Sequence, residues 1–433
     1  MTEERLLTDV RMDSLGLHPS LIKGLQELGF DLCTPIQAEA LPLAMRGIDI
    51  AGQAHTGTGK SAAFLLATMH RLLTNTPEPS EHAPNQASQP RAFMLAPTRE
   101  LAIQIHKDAV SLGKFTGLKC EVCYGGTGYE SQRDAVAAGV DILIGTPGRL
   151  IDYWKQKVYT LKALEVAVLD EADRMFDLGF IDDIRFLFKR MPPPPNRLNM
   201  LFSATLSHRV LELAYEHMND PKLVKIDEDQ VNADAIRQQV YHVSKEDKIP
   251  LLIGLMRSID PTRTLIFINT KREGERVEDY LNANGLQAAT LSGDVPQNKR
   301  MRLLQDFKDG KLPIMVATDV AARGLHIPEV SHVVNYDLPQ DAEDYVHRIG
   351  RTARAGKTGD AISLACETYV YSLPDIEAYM GNKIASEMPT KDMYATDLTH
   401  PKRRERKPRK GRPGGGRGRS GGGGGGGGRR HSN

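Results

Sequence analysis

The chain has 433 residues, of which 40% are apolar and 6% aromatic, with a formal net charge of +1. Such a length suits two domains and a tail rather than one ordinary domain. No apolar run is long enough to span a bilayer, and Met1-Thr2-Glu3-Glu4-Arg5 lacks the basic-then-apolar order of a signal peptide. Four cysteines without an export signal point to a reducing cytoplasm.

The predicted elements alternate between short apolar strands and helix-forming stretches, twice over. In the first half the strands fall at 92–96, 142–144, 166–169 and 200–203, with helical stretches at 61–73 and 100–110. In the second half they fall at 240–243, 264–268, 288–291, 314–317, 332–336 and 361–365. Alternation of this kind predicts an α/β fold of two tandem domains, each a mostly parallel sheet flanked by helices. Residues 74–90 read as a surface loop, and the four prolines of 191–196 exclude helix and central strand. The expected division is an N-terminal segment 1–40, a first domain 41–222, a linker 223–235, a second domain 236–390 and a tail 391–433 expected to be disordered.

The near-neutral charge hides an asymmetry. Residues 402–433 hold twelve Lys or Arg and one acid, Glu405, whereas residues 1–401 hold 44 basic and 54 acidic groups. The body does not attract a polyanion by its bulk field; the Gly/Arg-rich tail does. Phosphate neutralisation by such a tail is independent of base sequence, which favours RNA tethering over a solubilising role. No apolar residues interleave with the basic ones, which argues against a membrane-surface role.

Chemistry concentrates at two places in the first half. Gln53 leads into Ala54-His55-Thr56-Gly57-Thr58-Gly59-Lys60-Ser61, a near match to G-x-x-x-x-G-K-[ST] with Ala in place of the first Gly. Glycines there let backbone N–H groups turn inward on phosphate oxygens. Lys60 would reach the β- and γ-phosphates of ATP, Ser61 would hold Mg²⁺, and the following helix would aim its positive end at the phosphates. The second place is Val166–Leu169 running into Asp170-Glu171-Ala172-Asp173. Buried strands in α/β sheets deliver reactive groups at their carboxyl ends. Asp170 would hold Mg²⁺ through water, and Glu171 would position the attacking water. Asp173 lies too far along to be a direct ligand.

With both places on one chain, the sequence resembles the DEAD-box RNA helicases over about residues 10–380. Thr34-Pro35-Ile36-Gln37 matches the family's adenine-reading segment. Pro97-Thr98-Arg99-Glu100-Leu101, Gly125-Gly126 and Thr146-Pro147-Gly148-Arg149 match its RNA-backbone segments, and Ser203-Ala204-Thr205 its coupling segment. Asp319–Gly324 and His347–Arg354 match the signatures of its second domain.

The resemblance implies two RecA-like domains that bind ATP and Mg²⁺ in a cleft and RNA on an adjoining face. It implies nucleotide contacts from Gln37, Gly324 and His326, and arginine fingers at Arg351 and Arg354. RNA contacts are implied for Thr98, Arg99, Gly126, Thr146, Gly148 and Arg149 in the first domain and for Gln297, Arg300 and Thr318 in the second. Coupling is implied for Asp173, Ser203, Thr205 and His347. Within the family the chain is similar to a bacterial type associated with RNA decay, which implies the endonuclease scaffold of a decay complex as a partner and a monomer outside it.

The resemblance also marks departures. Met12 stands where the family has an aromatic residue over adenine, His326 where it has Asp, and Ala353 where it has Gly, a change expected to have little effect. A DNA translocase of the same superfamily and an ATP-gated RNA clamp remain as alternatives. Cys120-Glu121-Val122-Cys123 spells a redox or zinc pattern, but residues three apart on a strand face opposite sides, so structural cysteines are expected.

Overall fold

A computed structural model describes residues 7–54, 57–75, 87–226, 236–259, 261–322, 330–353 and 358–401. It contains two seven-stranded sheets in which every strand pairing is parallel. The first consists of β1 (Ile50–Gln53), β2 (Ala92–Leu95), β3 (Cys120–Cys123), β4 (Ile142–Gly145), β5 (Val166–Leu169), β6 (Leu198–Ser203) and β7 (Lys222–Lys225), in the order β3-β4-β2-β5-β6-β1-β7. The second consists of β8 (Ile236–His242), β9 (Thr264–Phe267), β10 (Ala288–Leu291), β11 (Ile314–Ala317), β12 (His332–Asn335), β13 (Gly359–Ala365) and β14 (Ala385–Glu387), in the order β10-β11-β9-β12-β13-β8-β14. The two orders are the same once β8 is matched to β1.

Each sheet is buried on both faces, which is why its central strands read as unbroken apolar runs. Along β2, Ala92 and Met94 enter one core cluster while Phe93 and Leu95 enter the other. Along β9, Ile266 enters one cluster and Leu265 and Phe267 the other. Cys120 and Cys123 obey the same alternation, packing into opposite cores of the first domain. Burial pushes both thiols up to about 12, so they are packing residues.

Several boundaries differ from the expected ones. The helices Pro19–Leu28 and Pro35–Met45 pack Leu21, Leu25, Ile36 and Leu41 into the first domain's core, so the N-terminal segment belongs to that domain. Met12 is buried there too, with the Cys33 thiol donating to its Sδ at 3.5 Å. Residues 223–226 belong to the first sheet, because β7 pairs with β1 and the Ile226 N–H donates to the Gln53 carbonyl. Pro194–Asn196 form a single 3-10 turn, which proline at its start permits.

The second domain continues past Thr390. A strap of residues 391–401 lays Met393, Tyr394, Ala395 and Leu398 on the core between the helices Lys248–Ile259 and Lys271–Ala283. Arg257 pairs with Asp397, Asn284 bonds Thr399 in both directions, and Tyr280 meets His400. The basic residues 402–433 lie outside the described residues.

Candidate active site

The carboxyl ends of β1, β5 and β6 meet at one edge of the first sheet. The helix Lys60–Thr74 starts there, after Gly57 at φ +95° and Gly59 at φ +90°. Both are left-handed conformations open to glycine at little cost. A Cβ on Gly59 would also come within 2.4 Å of Gln37 Nε2. Ala54 N–H donates to the Ser203 carbonyl at 3.1 Å, tying the loop to β6. Lys60 is buried and Ser61 half-buried at the helix start, while Thr58 lies in the turn before them. His55 and Thr56 lie outside the described residues.

Gln37 is engaged within the protein. Its Oε1 accepts from Thr34 N–H at 2.9 Å, closing a capping box, and its Nε2 donates to the Gly59 carbonyl at 3.1 Å. The expected adenine-reading amide therefore sets the shape of the phosphate loop in this arrangement.

Asp170 follows β5 and donates its N–H to the Leu95 carbonyl at 3.1 Å. Burial pushes its carboxyl up to about 6, and the facing Lys60 charge offsets only part of that rise. Glu171 takes φ +50°, ψ +56°, a left-handed conformation that costs a non-glycine residue about 1–2 kcal/mol. Strain of this kind marks a place where backbone comfort is given up for side-chain aim. Its Oε2 is buried with no hydrogen-bond partner within the protein. A buried carboxyl on a strand end, a buried ammonium, a glycine cradle and an orphaned carboxylate oxygen fit a magnesium–triphosphate group and an attacking water. Asp173 N–H donates to Ser203 Oγ at 3.2 Å, joining the acid segment to the Ser203-Ala204-Thr205 segment.

The second domain meets this edge directly. Arg174 donates to the Val320 carbonyl at 3.4 Å. Glu343, in the first turn of the helix Ala342–Ile349, faces Thr205. Burial raises its pKa; the Thr205 hydroxyl opposes the rise, and Asp173 and Asp177 add to it. His347 lies half-buried on the same helix and Arg351 is buried just beyond it. Gly324, His326 and Arg354 lie outside the described residues. Ala353 takes φ +54°, so the Gly-to-Ala departure puts a Cβ into a conformation that disfavours one.

The residues expected to touch RNA lie at neighbouring strand ends. Thr98 caps the helix Arg99–Leu112, accepting from Leu101 N–H. Arg99 lies over Gly126, where a Cβ would come within 2.4 Å of its guanidinium. Thr146 starts the helix Pro147–Lys155. Gly148 is exposed, with nothing of the protein near the place of a Cβ. Arg149 is half-buried, donating to Gln132 Oε1 and Tyr153 OH at 3.1 Å, with its guanidinium 4.8 Å from the Tyr129 ring centre.

The expected contacts of the second domain need one correction. Thr318 is half-buried after β11, its carbonyl accepting from the Ala321 and Ala322 N–H groups. Arg300 is not an open phosphate contact. It is buried, pairs with Glu100 of the first domain at 2.6 Å and donates to the Ala321 carbonyl at 2.8 Å. Gln297 donates to Glu100 Oε1 at 3.1 Å and faces Arg99 at 3.5 Å.

Sequence reasoning missed two residues. Glu100 is the acid that joins the halves, and its partner lies 200 positions away, with no local signal. Arg348 is 1% exposed. It grips Asp319 through two bonds of 2.6 and 2.7 Å and is an internal brace rather than a finger. Nothing in its spacing separates it from Arg351.

This fold and site define a two-domain nucleotide-driven helicase, and comparison with known proteins agrees. The DEAD/DEAH box helicase family matches residues 34–213, and the helicase conserved C-terminal domain matches residues 247–356. The chain belongs to the DEAD-box family and is an ATP-dependent RNA helicase, an ATP-hydrolysing enzyme.

Among its relatives, the ATP-dependent RNA helicase RhlB of Xanthomonas oryzae is 58% identical over 391 residues, covering 90% of this chain and 67% of that one. The ATP-dependent RNA helicase RhlB of Idiomarina loihiensis is 54% identical, covering 96% of each. Among solved structures, S. cerevisiae Dbp5 bound to RNA and ADP BeF3 superposes with a TM-score of 0.75 at 32% identity, covering 87% of this chain and 95% of that one.

Proposed function

We propose that ATP hydrolysis occurs between the two domains and that its timing is set by their closure on RNA. The observation that carries this reading is Glu171: a strained backbone, an orphaned buried Oε2, and a helix whose Arg174 already touches the second domain. Lys60 and the loop N–H groups bind the phosphates. Asp170 and Ser61 would hold Mg²⁺, which when bound would neutralise phosphate charge. Glu171 orients water for attack on the γ-phosphate and takes up its proton. Arg351, joined by Arg354, meets the charge that builds on the transferring group, a role worth on the order of 10³–10⁵ in rate.

RNA lies across Thr98, Arg99, Gly126, Thr146, Gly148 and Arg149 and continues onto Gln297 and Thr318. These are backbone and small-residue contacts, so base preference is weak. The outcome is local opening of short duplexes. The resemblance to the bacterial type associated with RNA decay supports a setting in RNA decay, with an endonuclease scaffold as partner and the cytoplasm as location.

Glu171→Gln tests the reading. Turnover should fall by about 10²–10⁴-fold while RNA binding with ATP stays intact; unchanged turnover would refute it. ATPase stimulation by RNA but not by DNA of the same sequence separates the helicase from a DNA translocase.

A further inference from the structure

The second domain has no phosphate loop, yet it repeats the first domain's lysine and aspartate. Lys60 opens the helix that follows β1, and Lys248 opens the helix that follows β8, its counterpart in strand order. Asp170 directly follows β5 and its N–H donates to the carbonyl of Leu95 at the end of β2; Asp337 lies two residues past β12 and its N–H donates to the carbonyl of Phe267 at the end of β9. In the first domain the two groups face a site built for phosphate. In the second they are joined, Lys248 Nζ lying 2.6 Å from Asp337 Oδ1 with side-chain exposures of 2% and 5%. The Tyr336 ring covers the ammonium, its centre 4.1 Å away. The ammonium is thus spent on the pair rather than offered to a phosphate.

Its connections lead to the arginine segment. The other Asp337 oxygen accepts from Asn269 N–H at 3.0 Å. Asn269 Oδ1 accepts from Arg348 at 2.9 Å, and the Asp337 carbonyl accepts from the same guanidinium. Arg348 also grips Asp319, the first residue of the helix Asp319–Ala322. Arg348 therefore ties the helix Ala342–Ile349 to a floor set by Lys248, and Arg351 N–H donates to the Arg348 carbonyl at 3.1 Å.

We propose that Lys248 is a positioning residue for ATP hydrolysis, fixing Asp337, Asn269 and Arg348 so that Arg351 is presented to the nucleotide held by the other domain. Buried ion pairs seldom add net stability over apolar packing, but they can enforce one arrangement. This inference rests on the reading that Arg351 acts at the nucleotide.

The test is RNA-stimulated turnover of the full chain at saturating ATP and RNA. Lys248→Met should lower kcat about 10- to 100-fold, the scale of a small misplacement of a catalytic group, while KM for ATP and RNA affinity stay within about twofold. Lys248→Arg, which keeps the charge, should recover most of the loss. The Lys248→Met/Arg351→Ala double variant should be no slower than Arg351→Ala. Wild-type kcat in Lys248→Met, or losses that multiply in the double variant, would overturn the proposal.

Where Lys248→Met does not fold, Lys248→Met/Asp337→Asn decides, since it removes both charges and keeps an acceptor for Asn269. Reduced kcat in the folded protein supports the proposal and wild-type kcat overturns it. Wild-type turnover in Arg351→Ala would instead overturn the reading of Arg351 itself.

Discussion

Glu100 and Arg300 sit on different domains and form an ion pair of 2.6 Å, with side chains 11% and 10% exposed. Glu100 is the residue after Arg99 and Arg300 is one helical turn from Gln297, so the pair brings two halves of the RNA surface into register. Removing one partner of a buried pair strands the other charge. Here that penalty applies only while the domains are together, because the survivor is solvated when they part. Glu100→Ala, whose side-chain partners Arg300 and Gln297 both lie on the other domain, should therefore raise the RNA concentration needed for half-maximal ATPase by about 5- to 150-fold, from about 1–3 kcal/mol of lost closure, without lowering either domain's melting temperature. Equal RNA dependence in variant and wild type would remove the pair from the closing step.

Asp170 gives the site a pH signature. Its folded pKa of about 6 lies above the ordinary value of 3.8, so folding favours the protonated form. The stability this contributes is complete below pH 4 and is lost as pH rises through 6. The full swing is on the order of 2–3 kcal/mol. In magnesium-free buffer without nucleotide, Asp170→Asn should gain stability relative to wild type between pH 4 and pH 7 by that amount. Denaturant melts of the first domain across this range measure it, and parallel curves would contradict it.

Gly148 separates folding from RNA contact. A side chain at this position meets nothing of the protein, and alanine favours a helix over glycine by about 0.8–1.0 kcal/mol. Gly148→Val should leave thermal stability within about 0.5 kcal/mol of wild type and ATP binding unchanged, while weakening RNA binding about 10-fold through lost approach to the backbone. Unchanged RNA affinity would take Gly148 off the RNA path.

The strap 391–401 predicts a sharp contrast between two truncations. Ending the chain after Thr390 exposes the core surface under Met393, Tyr394, Ala395 and Leu398. A side chain the size of Met393 or Leu398 carries up to about 1.5–3 kcal/mol when fully buried; the four are partly buried, so a total loss of about 2–4 kcal/mol is expected. Ending it after Pro401 should leave the melting temperature unchanged and make the salt dependence of RNA binding shallower, since fewer phosphates are neutralised. Chemical denaturation of the two truncated chains and RNA binding at two salt concentrations check both halves.

Central strands were legible because burial on both faces leaves unbroken apolar runs: 166–169 and 314–317 match β5 and β11 at both ends. The strands that escaped notice lack such runs. β7 has only two apolar residues, Leu223 and Val224, between two lysines, and β14, at the sheet edge, is exposed along its length. β1 carries Gly52 against Phe202, where a strand has no side chain to announce it. The nucleotide loop and acid segment were legible because their function constrains consecutive residues. Glu100 with Arg300, and Lys248 with Asp337, were not, because each pair is made by the fold from positions far apart in the chain.

The anchoring of Thr399 and His400 also gives the basic segment a fixed origin. Whatever it holds is leashed to the domain that carries the arginines, not to the domain that binds the phosphates. Each opening of the cleft would then carry the tethered strand along with the second domain, keeping released RNA within reach for another encounter.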